Sequence, residues 1–112
     1  MEAQQQALWS DTGGGARSSH ERLEFVRREA AGCRACDLWA SATQTVFGEG
    51  PADARLMFIA EAPGEHEDAQ GRPFVGPAGR LLDQALEQAG IPREGVYLTN
   101  IVKHRPWILQ GR

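Results

Sequence analysis

Arg55-Leu56-Met57-Phe58-Ile59-Ala60 is an apolar run behind a single arginine, and Glu61-Ala62-Pro63-Gly64 follows it at once. A run this short, bounded by turn residues, reads as a strand. Its continuity, without alternation, predicts a strand covered on both faces of a parallel sheet. Moving outward, residues 61–77 are rich in Gly and Pro and are expected to form one long loop. Leu81, Leu82, Ala85, Leu86 and Ala89 then recur at helical spacing, and Gly90 and Pro92 end that helix. Val96-Tyr97-Leu98-Thr99-Asn100-Ile101-Val102 reads as a second strand. Strand, helix, strand in this order is a βαβ unit, so the two strands are expected to be parallel with a right-handed crossover.

On the other side, residues 37–54 mix polar and turn residues, with Gly48, Gly50 and Pro51 as punctuation. Before them, Ser18-Ser19-His20-Glu21 fits a capping box, in which a hydroxyl caps the first turn and the glutamate reaches back. Leu23, Val26 and Ala30 continue at helical spacing, and Gly32 is a stop signal. Residues 1–18 carry a Gln run, a Gly triplet and almost no apolar periodicity, and are expected to be a flexible leader. The remainder, 19–112, is expected to be one domain or part of one. No internal repeat is visible.

The chain has 112 residues, 41% of them hydrophobic and 24% charged, which excludes collagen-like, fully disordered and disulfide-scaffold classes. There is no apolar run long enough to span a membrane. The first residues lack a basic segment followed by an apolar one, so a cytoplasmic location is expected. A net charge of −3 is unlike that of a typical nucleic-acid binder, but leaves room for a local basic face.

Ligands of open α/β sheets bind outside the carboxyl ends of strands. Glu61, Glu65, His66, Glu67 and Asp68 crowd the loop that starts there. Glu61 is the sharpest candidate because it directly follows the strand, where a carboxylate is expected to be partly desolvated and rigidly held. Pro63-Gly64 lets the backbone turn close to a ligand. Phe74 sits between turn residues, where its ring could face a planar ligand. The plainer alternative is an acidic surface loop anchored by Phe74. Asn100 lies in an apolar strand; its amide offers donors and an acceptor to a base edge, or bonds to neighbouring backbone. His66 reads as a solvated loop histidine.

Cys33-x-x-Cys36 can hold one metal through two thiolates, which is half a site. His104 could add a third ligand from the end of the second strand. A thioredoxin-like role fits poorly because the pair follows a helix. Two ordinary reduced cysteines are the alternative.

Taken together, these motifs resemble the uracil-DNA glycosylase superfamily, specifically its iron–sulfur family 4. The most specific match is Glu61-Ala62-Pro63-Gly64-x-x-Glu67-Asp68-x-x-Gly71-Arg72-Pro73-Phe74-Val75-Gly76-x-Ala78-Gly79-x-Leu81-Leu82. Gly32-Cys33-x-x-Cys36-x-Leu38, Thr43-Gln44-Thr45-Val46-Phe47-Gly48-Glu49-Gly50 and Thr99-Asn100-Ile101-Val102-Lys103 extend it. The family usually has Gly at Ala60 and Cys at His104. His at that place is similar to the related UdgX branch, which typically has Gln at Ala62.

The resemblance implies a three-layer α/β/α sandwich with a mainly parallel sheet, here only its N-terminal half, cut after the second strand. It implies hydrolysis of the N-glycosidic bond of deoxyuridine in DNA, as base-excision repair. Glu61 would be the catalytic carboxylate. Phe74 would stack on uracil, Asn100 would bond its edge, and Ala62, Pro63, Gly64 and Glu67 would shape the pocket. Cys33 and Cys36, with His104 as a third candidate, would ligate a structural [4Fe–4S] cluster. The implied partner is uracil-containing DNA, with neither a membrane nor an obligate protein partner. The competing expectations are a catalytically inactive truncated paralogue and a small metal-binding or interaction module. The chain alone is expected to have weak or no catalysis.

Overall fold

The computed structural model describes residues 18–106; the expected leader apart from Ser18, and the tail from Trp107, lie outside the described residues. Helix α1, Ser19–Ala31, begins on the expected capping box. The Ser18 hydroxyl accepts from Glu21 N–H at 3.1 Å and the Glu21 carboxylate accepts from Ser18 N–H at 3.0 Å. Gly32 ends the helix, as expected. None of its residues is fully buried, although its spacing suggests an apolar stripe. Arg27 fastens it instead: the guanidinium donates to the Gly48 carbonyl at 3.2 Å and lies 5.1 Å from the centre of the Phe47 ring.

A four-residue helix α2, Leu38–Ser41, precedes a two-residue strand β1, Gly48–Glu49. Strands β2, Met57–Ala60, and β3, Tyr97–Asn100, complete a three-stranded sheet of order β1-β3-β2. The expected parallel pairing holds for β2 and β3, from Met57 opposite Tyr97 to Ala60 opposite Asn100. The sheet is nevertheless mixed, with one strand more than expected, because β1 runs antiparallel to β3. Two residues between turn signals carry too little pattern to be read as a strand. Burial also differs between neighbours. All four residues of central β3 are buried, but β2 alternates, with Met57 55% and Ile59 59% exposed. The continuous apolar run therefore does not mark a strand covered on both faces by the described residues. Leu81 and Ile101 are exposed as well.

Helix α3, Glu65–Gln70, occupies what the sequence suggests is loop. Helix α4, Pro77–Ala89, follows, with Pro77 in its first turn and Gly90 at φ 74° closing it in the left-handed conformation that suits glycine. Leu86, Val96 and Leu98 form a buried cluster, against which Phe58, Phe74, Leu82 and Ile91 pack; Val46, Phe47 and Tyr97 are buried as well. Each such side chain, when fully buried, contributes about 1.5–3 kcal/mol. Thus one face of α4 closes on β3, and the loop carrying Phe74 is drawn onto the same core. No described helix is long and apolar enough to cross a membrane.

Candidate functional site

Because β2 and β3 are parallel, their carboxyl ends lie side by side. Beyond the last ladder pair, Ile101 N–H donates to the Ala60 carbonyl at 2.8 Å and Val102 N–H to the Glu61 carbonyl at 3.1 Å. These bonds fix the backbone of Glu61 beside the end of β3. The backbones of Glu61 and Asn100 are thus neighbours at the carboxyl end of the sheet. Glu61 is exposed among the described residues. Asn100 is only 3% exposed. Lys103 folds back on it, its ammonium donating to the Asn100 carbonyl and to the Thr99 hydroxyl, each at 2.6 Å. Burial lowers the Lys103 pKa. The same ammonium lies 5.2 Å from the Phe47 ring centre.

The acidic loop is divided by its chemistry. Glu67, expected to help shape the pocket, spends its carboxylate on backbone. One oxygen accepts from Gly64 N–H at 3.0 Å, and the other from Val75 and Gly76 N–H, both at 2.9 Å. Burial pushes this carboxyl up, but donation from its own N–H and those of Gly76, Gly64 and Val75 outweighs it and holds the pKa below the ordinary value. Asp68 is buried and accepts from Thr43 N–H at 2.9 Å. It is an anchor between two segments. His66 and Glu65 are exposed, Ala62 is half-buried, Pro63 is buried and Gly64 is exposed.

Phe74 has φ 57°, the one positive value at a non-glycine residue among those described. Such a conformation costs about 1–3 kcal/mol and persists where surroundings over-determine it. Three contacts do so. Arg93 donates to the Pro73 and Phe74 carbonyls at 3.2 and 3.0 Å. Glu67 holds the next two N–H groups. Gly79 lies directly beneath, where a Cβ would overlap the Phe74 carbonyl oxygen. An isolated glycine inside a helical pattern, as at Gly79, costs helix stability and so signals a packing role, which the sequence alone does not specify. Arg93, paired with Asp83, carries no such local signal.

The cysteine region opens on a cavity two of whose walls, Thr43 and Gln44, are hydrogen-bonded to Asp68 and Ala69 of this loop. Cys33, Arg34, Trp39, Thr45 and His104 also line this cavity of about 460 Å³, of which neither Glu61, Phe74 nor Asn100 is a wall. His104 is brought there because the chain after β3 runs beside residues 45–46: Val46 N–H donates to the Lys103 carbonyl at 2.7 Å, and Thr45 Oγ1 is 2.8 Å from His104 Nε2. Cys36 is not among the residues lining this cavity, and both thiols are exposed and free. The described residues hold no group of three metal-ligating side chains placed around one point. A [4Fe–4S] cluster takes four ligands. Two thiols and an imidazole engaged by a hydroxyl do not by themselves form that set.

Comparison with known proteins bears on the loop and strand ends together. Residues 47–112 match the uracil DNA glycosylase superfamily. The chain is 48% identical over 87 residues to the type-4 uracil-DNA glycosylase of Sulfurisphaera tokodaii, covering 77% of this chain and 40% of that protein. It is 50% identical over 86 residues to the type-4 enzyme of Thermotoga maritima (77% and 45%) and 48% identical over 86 to that of Archaeoglobus fulgidus (77% and 43%). The chain therefore spans under half the length of these curated relatives.

Proposed function

The chain belongs to the uracil-DNA glycosylase superfamily, and from that premise we propose that it supplies the strand-end part of a family 4 site that removes uracil from DNA. The observation carrying this reading is the placing of Glu61 and Asn100 at adjacent ends of parallel β2 and β3. A base in duplex DNA must leave the stack to reach such a site. As the glycosidic bond breaks, the sugar gains cationic character and uracil leaves as an anion. In this reading Glu61 faces the sugar, stabilising the cation and orienting the attacking water. Asn100 reads the adjacent N–H and C=O of uracil, and opposes cytosine, whose donor and acceptor pattern differs. Phe74 stacks on the ring. Ala62, Pro63 and Gly64 form the backbone wall, and Glu67 shapes it by tying Gly64 to Val75 and Gly76. The parent architecture is a three-layer α/β/α sandwich.

Cys33 and Cys36 are proposed as two thiolates of a [4Fe–4S] cluster, with His104 at the position of a third ligand. The donors in the described residues are incomplete for it, so the reaction above is not routed through a cluster.

The test uses single- and double-stranded oligonucleotides carrying one deoxyuridine, with abasic sites read by strand scission. The chain is assayed alone and mixed with the part of the Thermotoga maritima relative beyond the matched region. Weak or absent cleavage by the chain alone and clear cleavage by the mixture are expected. Glu61→Gln or Asn100→Ala is expected to lower the mixture's rate about 100-fold. Unchanged rates in both variants overturn the site assignment. No cleavage in any mixture favours an inactive paralogue.

A further inference from the structure

We infer that Arg93, tied by Asp83, is the positioning residue that holds Phe74 in its left-handed conformation and so sets where its ring stands. The inference rests on the proposed reading in one respect, that the Phe74 ring meets the base. Its structural basis is independent of that reading.

Phe74 is a bulky residue at φ 57°, a conformation that side chains rarely adopt unless held. One guanidinium nitrogen of Arg93 spans two successive carbonyls, those of Pro73 and Phe74. A second nitrogen of the same planar group pairs with the Asp83 carboxylate on α4. The arginine thereby links three places: the 3-10 turn Arg93–Gly95 before β3, the middle of α4, and the loop. Gly79 of α4 lets the Phe74 carbonyl sit against the helix. Glu67 fixes the following amides from the other side. The loop is gripped through its carbonyls by a cation and through its N–H groups by an anion. Lysine keeps the charge of arginine but lacks the planar fork that reaches Asp83 and both carbonyls at once.

The experiment compares the 112-residue chain with Arg93→Lys, Arg93→Gln, Asp83→Asn and Phe74→Ala. Two readouts are taken: the Phe74 13Cα and 13Cβ chemical shifts, and the affinity ratio for a uracil- over a thymine-containing single-stranded oligonucleotide. Thermal unfolding checks that each variant folds. In the folded Arg93 variants the Phe74 shifts are expected to leave their left-handed values. The affinity ratio is expected to fall about tenfold, because a base that loses its stack is no longer held against the groups that tell uracil from thymine. Asp83→Asn, which unties the arginine without removing it, shifts both readouts part of the way. Left-handed Phe74 shifts retained in Arg93→Lys, Arg93→Gln and Asp83→Asn overturn the inference whatever the oligonucleotides do. Altered shifts with an unaltered ratio also overturn it, provided that Phe74→Ala lowers the ratio. If the shifts move but the parent ratio is near one, or Phe74→Ala leaves it unchanged, the clamp stands and the base-facing reading of Phe74 fails.

Discussion

The loop from Glu61 to Gly76 and the segment around Cys33 and Cys36 are both dense in chemically active residues, yet the fold treats them differently. The loop is determined by its own surroundings. Glu67 accepts three backbone N–H groups, Arg93 holds two carbonyls, Gly79 admits the Phe74 backbone, and Asp68 ties in Thr43. The cysteine segment has exposed thiols, and its third candidate ligand, His104, is hydrogen-bonded to Thr45. Preorganisation in the first region is written in this chain's residues. The second has only part of a ligand set in the described residues.

The sharpest way to break this contrast is Gly79→Ala. Its methyl would overlap the Phe74 carbonyl, so α4 and the loop must separate. A loss of about 3 kcal/mol or more in denaturant unfolding is expected. A near-neutral result would show that the loop is not fixed by this contact. Glu67→Ala removes an acceptor from three N–H groups and is expected to cost about 2 kcal/mol. The folded Glu67 pKa lies below its ordinary value of 4.5. Its contribution is therefore complete above that value and is lost as the pH falls through the lowered one. Hydrogen exchange at Val75 and Gly76, after correction for intrinsic rates, should quicken in acid in the parent but show no such step in Glu67→Gln. Arg72→Ala breaks an exposed bidentate pair with Glu49 (2.7 and 2.9 Å) and is expected to cost about 0.5 kcal/mol. Cys33→Ser and Cys36→Ser, in iron-free protein, are expected to stay within about 0.5 kcal/mol of the parent. A large loss there would mean that the cysteines support the fold without metal.

Much of the fold is legible from local pattern. The capping box at Ser18, the helical spacing to Ala89, the stop at Gly90 and the parallel β2–β3 pairing all follow from short-range signals that tertiary contacts reinforce. What the pattern misses has a common cause. Strand β1 is two residues long and exists because Gly48 and Glu49 meet β3; helix α3 is six residues long and relies on Glu67 reaching back to Gly64. The apolar run of β2 reveals which residues favour burial, but not which of them the described residues cover. In the candidate site, Glu61 and Asn100 are legible because they follow or end strands. The Arg93 clamp on the left-handed Phe74 backbone depends on contacts about 20 residues apart in sequence, which no local pattern encodes.

The β2–β3 strand ends and the Phe74 loop are proposed to meet uracil, while the cysteine cavity is not. The direct measurement is amide and side-chain chemical-shift mapping of the isotope-labelled chain titrated with a uracil-containing single-stranded oligonucleotide, against a thymine control. Uracil-specific changes are expected to concentrate at Glu61, Ala62, Gly64, Phe74 and Asn100, with Cys33, Cys36 and His104 unmoved. Uracil-specific changes centred on Cys33, Thr45 and His104, with Glu61 and Asn100 silent, would contradict it.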